Sequence, residues 1–200
     1  MNGQKDEMKD RFFYPLACLI IAGIIAFALS FKDAVPELTR ADILKNGFVV
    51  EGQALGFLTA SEGTMTELRS DEGGMAVLKS QIVKDIAPPS AGVFATLGPE
   101  YESAFANTLL EIKVTARRGD ADRKTRLEIG YFTAGSGDSG WKAFELTDKF
   151  EIYSLYFRPG AKPEIPSQDY VGLWPDPTGQ DKSVEITSIS VKPAADDVIP

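Results

Sequence analysis

The apolar and polar positions of this chain fall into two unlike patterns. Residues 12–31 read FFYPLACLIIAGIIAFALSF and carry no charge. At about 1.5 Å per helical residue such a run covers roughly the 30 Å hydrocarbon core of a bilayer. Pro15 lies one turn in, where a missing N–H costs a helix least, and Tyr14 and Phe31 suit the two interfaces. The pattern predicts a transmembrane helix. A cleaved export signal is the alternative, because Ala26-Phe27-Ala28 offers the small-x-small sequence that a signal peptidase cuts.

Beyond this segment the period changes from continuous to two. LLEIKVTA (109–116) sets Leu110, Ile112 and Val114 on one face and Glu111, Lys113 and Thr115 on the other. Runs of the same kind are FVVEGQA, MAVLKSQI, AGVFATL, TRLEIGYFT, KAFELT, KFEIYSLYFRP, DYVGLWP and VEITSISV, with Gly, Pro, Asp and Ser between them. This spacing predicts an all-β domain, an antiparallel sandwich or barrel. In the last run Val184 and Ile186 share one parity and Ile189 and Val191 take the other, which predicts a bulge near Thr187 and Ser188. In KFEIYSLYFRP, Tyr153, Leu155 and Phe157 share one face and Ile152 and Tyr156 the other, so burial on both sides is expected. A brief helix is expected over PEYESAFAN (99–107), with Pro99 at its start. The organisation read from these patterns is a tail at 1–11, the apolar helix at 12–31, a tether at 32–45 with a helical turn after Pro36, the β domain at 46–193 and a tail at 194–200.

Charge orients this arrangement. The tail holds Lys5, Lys9 and Arg11, whereas basic residues beyond the apolar run are sparser, so the tail is expected to stay inside the cell. Asp6, Glu7 and Asp10 cancel the tail's charge, and the formal −8 of the chain falls on the exported part. The expected location is therefore a single pass through the inner (cytoplasmic) membrane, with the C-terminal domain in the periplasm or outside the cell. An acidic domain argues against nucleic acid and anionic headgroups as partners.

Missing residue types exclude much chemistry. There is no His, so Ser-His-Asp or Cys-His catalysis and histidine-ligated zinc are ruled out within this chain, and no cofactor is called for. The single Cys, Cys18, lies in the apolar segment, so the β domain must stand without an internal disulfide. Pro15-Leu16-Ala17-Cys18 is a poor lipidation signal, because too few apolar residues precede it.

The most pointed stretch is DYVGLWPDPTGQ (169–180). As a strand it sets Tyr170, Gly172 and Trp174 on one face and Val171 and Leu173 on the other. Two aromatics around a glycine gap suit the C–H face of a pyranose, with Asp176 accepting hydroxyl hydrogen bonds. The same residues equally fit a buried strand entering an ordinary Pro-Asp-Pro turn. Trp141, after the loop AGSGDSG, poses the same choice. The ligand-binding candidates are Trp141, Tyr170, Trp174 and Asp176. A basic turn, ARRGDADRKTR (116–126), reads as a site for an anionic polysaccharide or a partner domain, or more simply as a solvated hairpin, and its RGD triplet is weak evidence for adhesion.

The order of features from NGF..EG (46–52), through LLEIKVTARR, TRLEIGYFTAGSGDSGW, FEIYSLYF and DYVGLWPDPTGQ, to EITSISV resembles the galactose-binding-like jelly rolls of carbohydrate-binding modules. The resemblance implies a jelly-roll sandwich and a glycan ligand. Several such modules hold a structural calcium through a Glu near the first strand and an acidic pair in the last. Glu51 matches the first, but Glu185-Ile186-Thr187-Ser188-Ile189 lacks the pair, so no metal is assigned. Asp138, Asp176 and Asp181 are the other oxygen donors considered. The leading expectation is a membrane-anchored, non-catalytic module for a glycan or cell-envelope polysaccharide. The alternative is an interaction or assembly subunit that binds an envelope protein. A carboxylate glycosidase, which needs two acids about 5–9.5 Å apart across a cleft, ranks third.

Overall fold

In a computed structural model, residues 6–30, 38–71, 73–120, 124–133, 135, 137–161 and 167–195 are described, with side chains on the first helix from Tyr14 to Phe27. The chain separates into two compact units, Met1–Glu37 and Leu38–Pro200. The first contains α1 (Asp6–Ser30), with Pro15 inside it. Its described apolar side chains point outward all round: Leu16, Leu19, Ile20, Ile21, Ile24, Ile25 and Phe27 are 54–71% exposed. Among the described residues no helix is long and apolar enough to cross a membrane. The side chains at 12, 13 and 28–31 of the expected span lie outside the described residues, as do 1–5 of the tail, 32–37 of the tether and 196–200 at the C-terminus.

The second unit starts earlier than the expected residue 46. Thr39 caps α2 (Arg40–Asn46): its hydroxyl accepts the Asp42 N–H at 3.2 Å while the Asp42 carboxylate accepts the Thr39 N–H at 3.3 Å. Ile43 is 2% exposed and joins the main core, so this segment belongs to the domain rather than to a free tether. Burying such a side chain is worth about 1.5–3 kcal/mol, enough to hold a short helix that would not persist alone.

Two antiparallel sheets make up the rest, as the alternation predicts. The strands are β1 (Phe48–Glu51), β2 (Thr59–Ala60), β3 (Thr64–Arg69), β4 (Met75–Ser80), β5 (Val93–Leu97), β6 (Leu110–Arg118), β7 (Arg126–Phe132), β8 (Trp141–Glu145), β9 (Glu151–Phe157), β10 (Asp169–Pro175) and β11 (Val184–Pro193), with the short α3 (Pro99–Phe105) after β5. One sheet has six strands, in the order β3-β4-β11-β6-β9 with β1 also on β11; the other has five, in the order β2-β5-β10-β7-β8. The two sheets together form a sandwich, the first of the two expected architectures.

β11 carries the bulge at the expected place. Its register with β6 shifts between Ile186 and Ser188. On its other edge it pairs β4 before the shift and β1 after it. The extra residue lets Val184 and Ile186, then Ile189 and Val191, all reach zero exposure despite their opposite parities. β9 departs from expectation. Only its inner face is covered by the other sheet, so Tyr153 and Leu155 are buried while Ile152 is 63% exposed. The core lies between the sheets, filled by Leu110, Ile112 and Val114 from one and Leu127, Ile129, Val171 and Leu173 from the other.

Candidate functional site

Because side chains alternate across a strand, each inward core residue of the five-stranded sheet leaves a neighbour facing out. Val93, Ala95 and Leu97 fill the core from β5, which puts Phe94 and Thr96 outside. The same rule places Tyr170 of β10, Phe132 of β7 and Trp141 of β8 on this outer face. Together they line a groove of about 720 Å³, with Ser61, Ser90 and Ala91 on one rim and Thr133, Asp138 and Gln168 on another.

The groove's geometry follows from two glycines. Gly172 of β10 pairs with Gly130 of β7, which in turn pairs with Trp141 of β8. A Cβ on Gly172 would stand 2.7 Å from the Phe132 ring, 2.8 Å from the Ala91 carbonyl and 3.0 Å from the Trp141 ring. A Cβ on Gly130 would stand 2.6 Å from the Phe132 ring. The gap expected beside Tyr170 therefore exists, but the Phe132 and Trp141 rings occupy it. These rings meet at 4.8 Å between centroids with a 57° tilt, while Phe94 and Tyr170 meet edge to face at 5.3 Å.

Of the four expected ligand residues, the structure brings two into the groove. Trp141 and Tyr170 line it and are half-buried. Trp141 is held from behind: the Lys84 ammonium lies 4.5 Å from its ring centroid and 2.6 Å from a Glu128 carboxylate oxygen. Trp174 shares the outward parity, yet it is 1% exposed. Its ring stands perpendicular to Trp141 at 6.2 Å, and the Gly92 backbone packs against it. Asp176 has no exposure at all and sits at φ +43°, tying the turn between β10 and β11. Its carboxylate accepts the N–H groups of Gln180 (2.7 Å) and Lys182 (3.2 Å) and the Thr178 hydroxyl, and the Lys182 ammonium lies 3.7 Å away. Trp174 and Asp176 thus take the structural alternative, because neighbours distant in sequence cover the ring and local donors saturate the acid.

Reading by sequence alone omitted Phe94, Phe132 and Gln168. The signal was present for Phe94, which has the parity opposite to Val93, Ala95 and Leu97, but an aromatic in an apolar run reads first as core.

The electrostatics of the groove are acidic. Asp138 accepts the Thr133 N–H at 2.8 Å, and the Thr133 hydroxyl donates to the Gly137 carbonyl at 2.9 Å, which orders that rim. Beside Tyr170, Asp169 is 1% exposed and accepts the Tyr131 hydroxyl at 2.6 Å, while its other oxygen has no hydrogen-bond partner among the described residues. Burial pushes the Asp169 carboxyl up to about 6; the Tyr131 hydrogen bond opposes this, and the charges of Glu102 and Asp138 add to it. Burial and the Asp169 charge raise the Tyr131 phenol in turn. Glu102, also buried, accepts the Ser167 N–H at 2.8 Å and the Ser167 hydroxyl. No Lys or Arg is among the described residues that line the groove.

The basic turn joins β6 of the six-stranded sheet to β7 of the five-stranded one, and several of its charges are engaged. Arg117 bonds Glu185 at 2.6 Å and lies 4.4 Å over the Phe150 ring, and Arg69 approaches the same carboxylate at 3.7 Å. Arg126 pairs with Glu145 at 2.9 Å, and Arg123 lies outside the described residues. The RGD triplet is tied down, since Gly119 N–H bonds the Ser183 carbonyl and Asp120 accepts the Ser183 N–H at 2.9 Å. Among the described residues no three or more acidic or sulfur side chains cluster as a metal site, and Asp181 pairs instead with Lys79 at 3.7 Å.

No family model matches the chain, and no curated protein does. Among solved structures the chain is similar to the CBM22-1 xylan-binding domain of Xyn10C from Paenibacillus barcinonensis, with 14% identity, a TM-score of 0.50 and coverage of 74% of this chain and 97% of that one. It is also similar to the CBM22-1-CBM22-2 tandem domain of the same protein, with 12% identity, a TM-score of 0.51 and coverage of 74% and 46%. At these identities the likeness shows the fold: a β-sandwich of the carbohydrate-binding-module kind.

Proposed function

We propose that this protein is a non-catalytic glycan-binding module, held at a membrane by its N-terminal helix and working outside the cytoplasm. The observation that carries the reading is the open groove of about 720 Å³ on the five-stranded sheet, walled by Phe94, Phe132, Trp141 and Tyr170 and rimmed by hydroxyl, amide and carboxylate groups. Aromatic edges and faces pack against sugar C–H groups, and the rim exchanges hydrogen bonds with hydroxyls. The described fold is similar to that of a xylan-binding domain, which supports the same class of ligand. Within the ligand set, Trp141 and Tyr170 are the stacking residues; Trp174 and Asp176 support the site from beneath and beside it. Asp138 is the one carboxylate among the described lining residues, whereas glycoside hydrolysis employs a facing pair.

The anchor is proposed from α1, whose described apolar side chains are exposed around the helix with no polar face among them. The chain's acidic charge beyond that helix and the weak charge asymmetry around it favour the domain facing outward. Exposed Phe57 (87%) and Ile86 (76%) favour a second reading, in which the domain also meets an envelope protein.

The test is tryptophan fluorescence of the protein titrated with xylan, other β-linked and α-linked neutral polysaccharides and their oligosaccharides. A saturable change that disappears in Trp141→Ala supports the reading, and no change with any of them overturns it. Retention in the membrane pellet after alkaline carbonate extraction, with the domain open to protease added outside the cytoplasmic membrane, tests the anchor; release into the supernatant refutes it.

A further inference from the structure

Resting on the glycan reading, we infer that the groove selects uncharged glycan chains and rejects uronate-bearing ones, and that Asp138 is the residue that sets this preference. Three features of the site converge on it. First, the polar groups that line the groove are hydroxyls, the Gln168 amide and the Asp138 carboxylate, with no cation among the described lining residues. Neutral hydroxyls satisfy such a rim as both donors and acceptors, whereas a uronate brings an acceptor-only group with nothing charged to receive it.

Second, the cation that lies against the aromatic wall is already committed. Lys84 lies over Trp141, 2.6 Å from Glu128, with the side chains of this pair 18% and 16% exposed. Turning it toward a ligand would strip Glu128 of its partner. Third, the Asp138 side of the groove is backed by two further acids. Asp169, next in sequence to the lining residues Gln168 and Tyr170, and Glu102 are both buried, so the protein interior behind this wall transmits their field toward the groove rather than screening it. Arg117 and Arg69 stand on the other sheet, where they share Glu185, and Arg126, at the start of β7, is paired with Glu145 at 2.9 Å.

Asp138 is the exposed member of these acids and so the one that meets an incoming charge. Replacing it by Asn keeps an oxygen for the Thr133 N–H, which bonds Asp138 Oδ1, and removes the charge alone.

The experiment uses the full-length chain in a detergent without a sugar headgroup. Probes are a neutral polysaccharide that binds, its carboxymethylated derivative, and the methyl ester of that derivative, which removes the charge at the cost of one added methyl group. Binding is measured by tryptophan fluorescence and affinity electrophoresis. The expected result at low ionic strength is that the acid binds about tenfold more weakly than its ester, that the gap shrinks as salt is added, and that Asp138→Asn narrows it. Equal binding of acid and ester overturns the inference and leaves the glycan reading standing. A gap that ignores both salt and Asp138→Asn is steric and equally overturns it. No binding of any neutral polysaccharide overturns the glycan reading and this inference together.

Discussion

The outer faces of the two sheets solve opposite problems. On the six-stranded sheet the outward side chains complete one another: Glu185 serves Arg69 and Arg117, Glu111 meets Lys113 at 2.7 Å and the Tyr156 hydroxyl at 2.7 Å, and Phe150 lies under a guanidinium. On the five-stranded sheet aromatic rings are packed against each other but left open on one side, and the acid behind them, Asp169, keeps an oxygen without a hydrogen-bond partner among the described residues. A face whose charged groups are paired with one another has less to gain from a polar ligand. A face with uncovered rings and an orderly polar rim gains on contact, because the ligand removes apolar surface from water.

The largest expected consequence of this difference concerns stability. The Asp169 carboxyl is raised in the folded state from 3.8 to about 6. Its contribution is therefore fully present below about pH 4 and is lost as the pH rises through about 6, by up to about 3 kcal/mol. Chemical denaturation at pH 4.5 and 7.5 should show this loss in the native protein and a much flatter response in Asp169→Asn; parallel curves for the two would refute the assignment.

Next in size, Trp141→Ala should weaken glycan binding by at least about 2 kcal/mol, roughly 30-fold, with the fold retained. Arg117→Ala should leave affinity unchanged, and titration calorimetry on both variants checks the contrast. Gly172→Ala would drive a methyl into the Phe132 ring and the Ala91 carbonyl, costing about 1–3 kcal/mol of stability and displacing the groove's rings. A lowered melting temperature together with an altered tryptophan emission maximum is the expected outcome; unchanged emission would mean that the rings have room to spare. The smallest effect belongs to Glu185→Gln, which removes the charge that a buried carboxylate shares with two partly exposed guanidinium groups and should cost about 1 kcal/mol without touching affinity, as melting and binding curves would show.

How much of this was legible varies by residue. Alternation in LLEIKVTA named the core face of β6 correctly, and the parity change in VEITSISV located the bulge of β11 to within the residues where the register shifts. β9 misled because Ile152 is apolar and a sequence does not say which strand faces are left uncovered. Trp141 and Tyr170 were found as candidates; Phe94 and Phe132 were not, since an aromatic at the end or middle of an apolar run looks like core.

The amino-acid order by itself determined which side chains share a face, because the two-residue period of a strand is a local property of the backbone. It also determined the absence of histidine chemistry and the presence of one long uncharged segment. Which outward residues stay uncovered was decided only in three dimensions. Tyr170 and Trp174 have the same parity on the same strand, yet one lines the groove and the other is sealed by Trp141 and the backbone of Gly92. Exposure depends on what the rest of the chain brings alongside, and the strand pairing that brings Gly130, Gly172, Phe132 and Trp141 together joins segments that no local pattern connects.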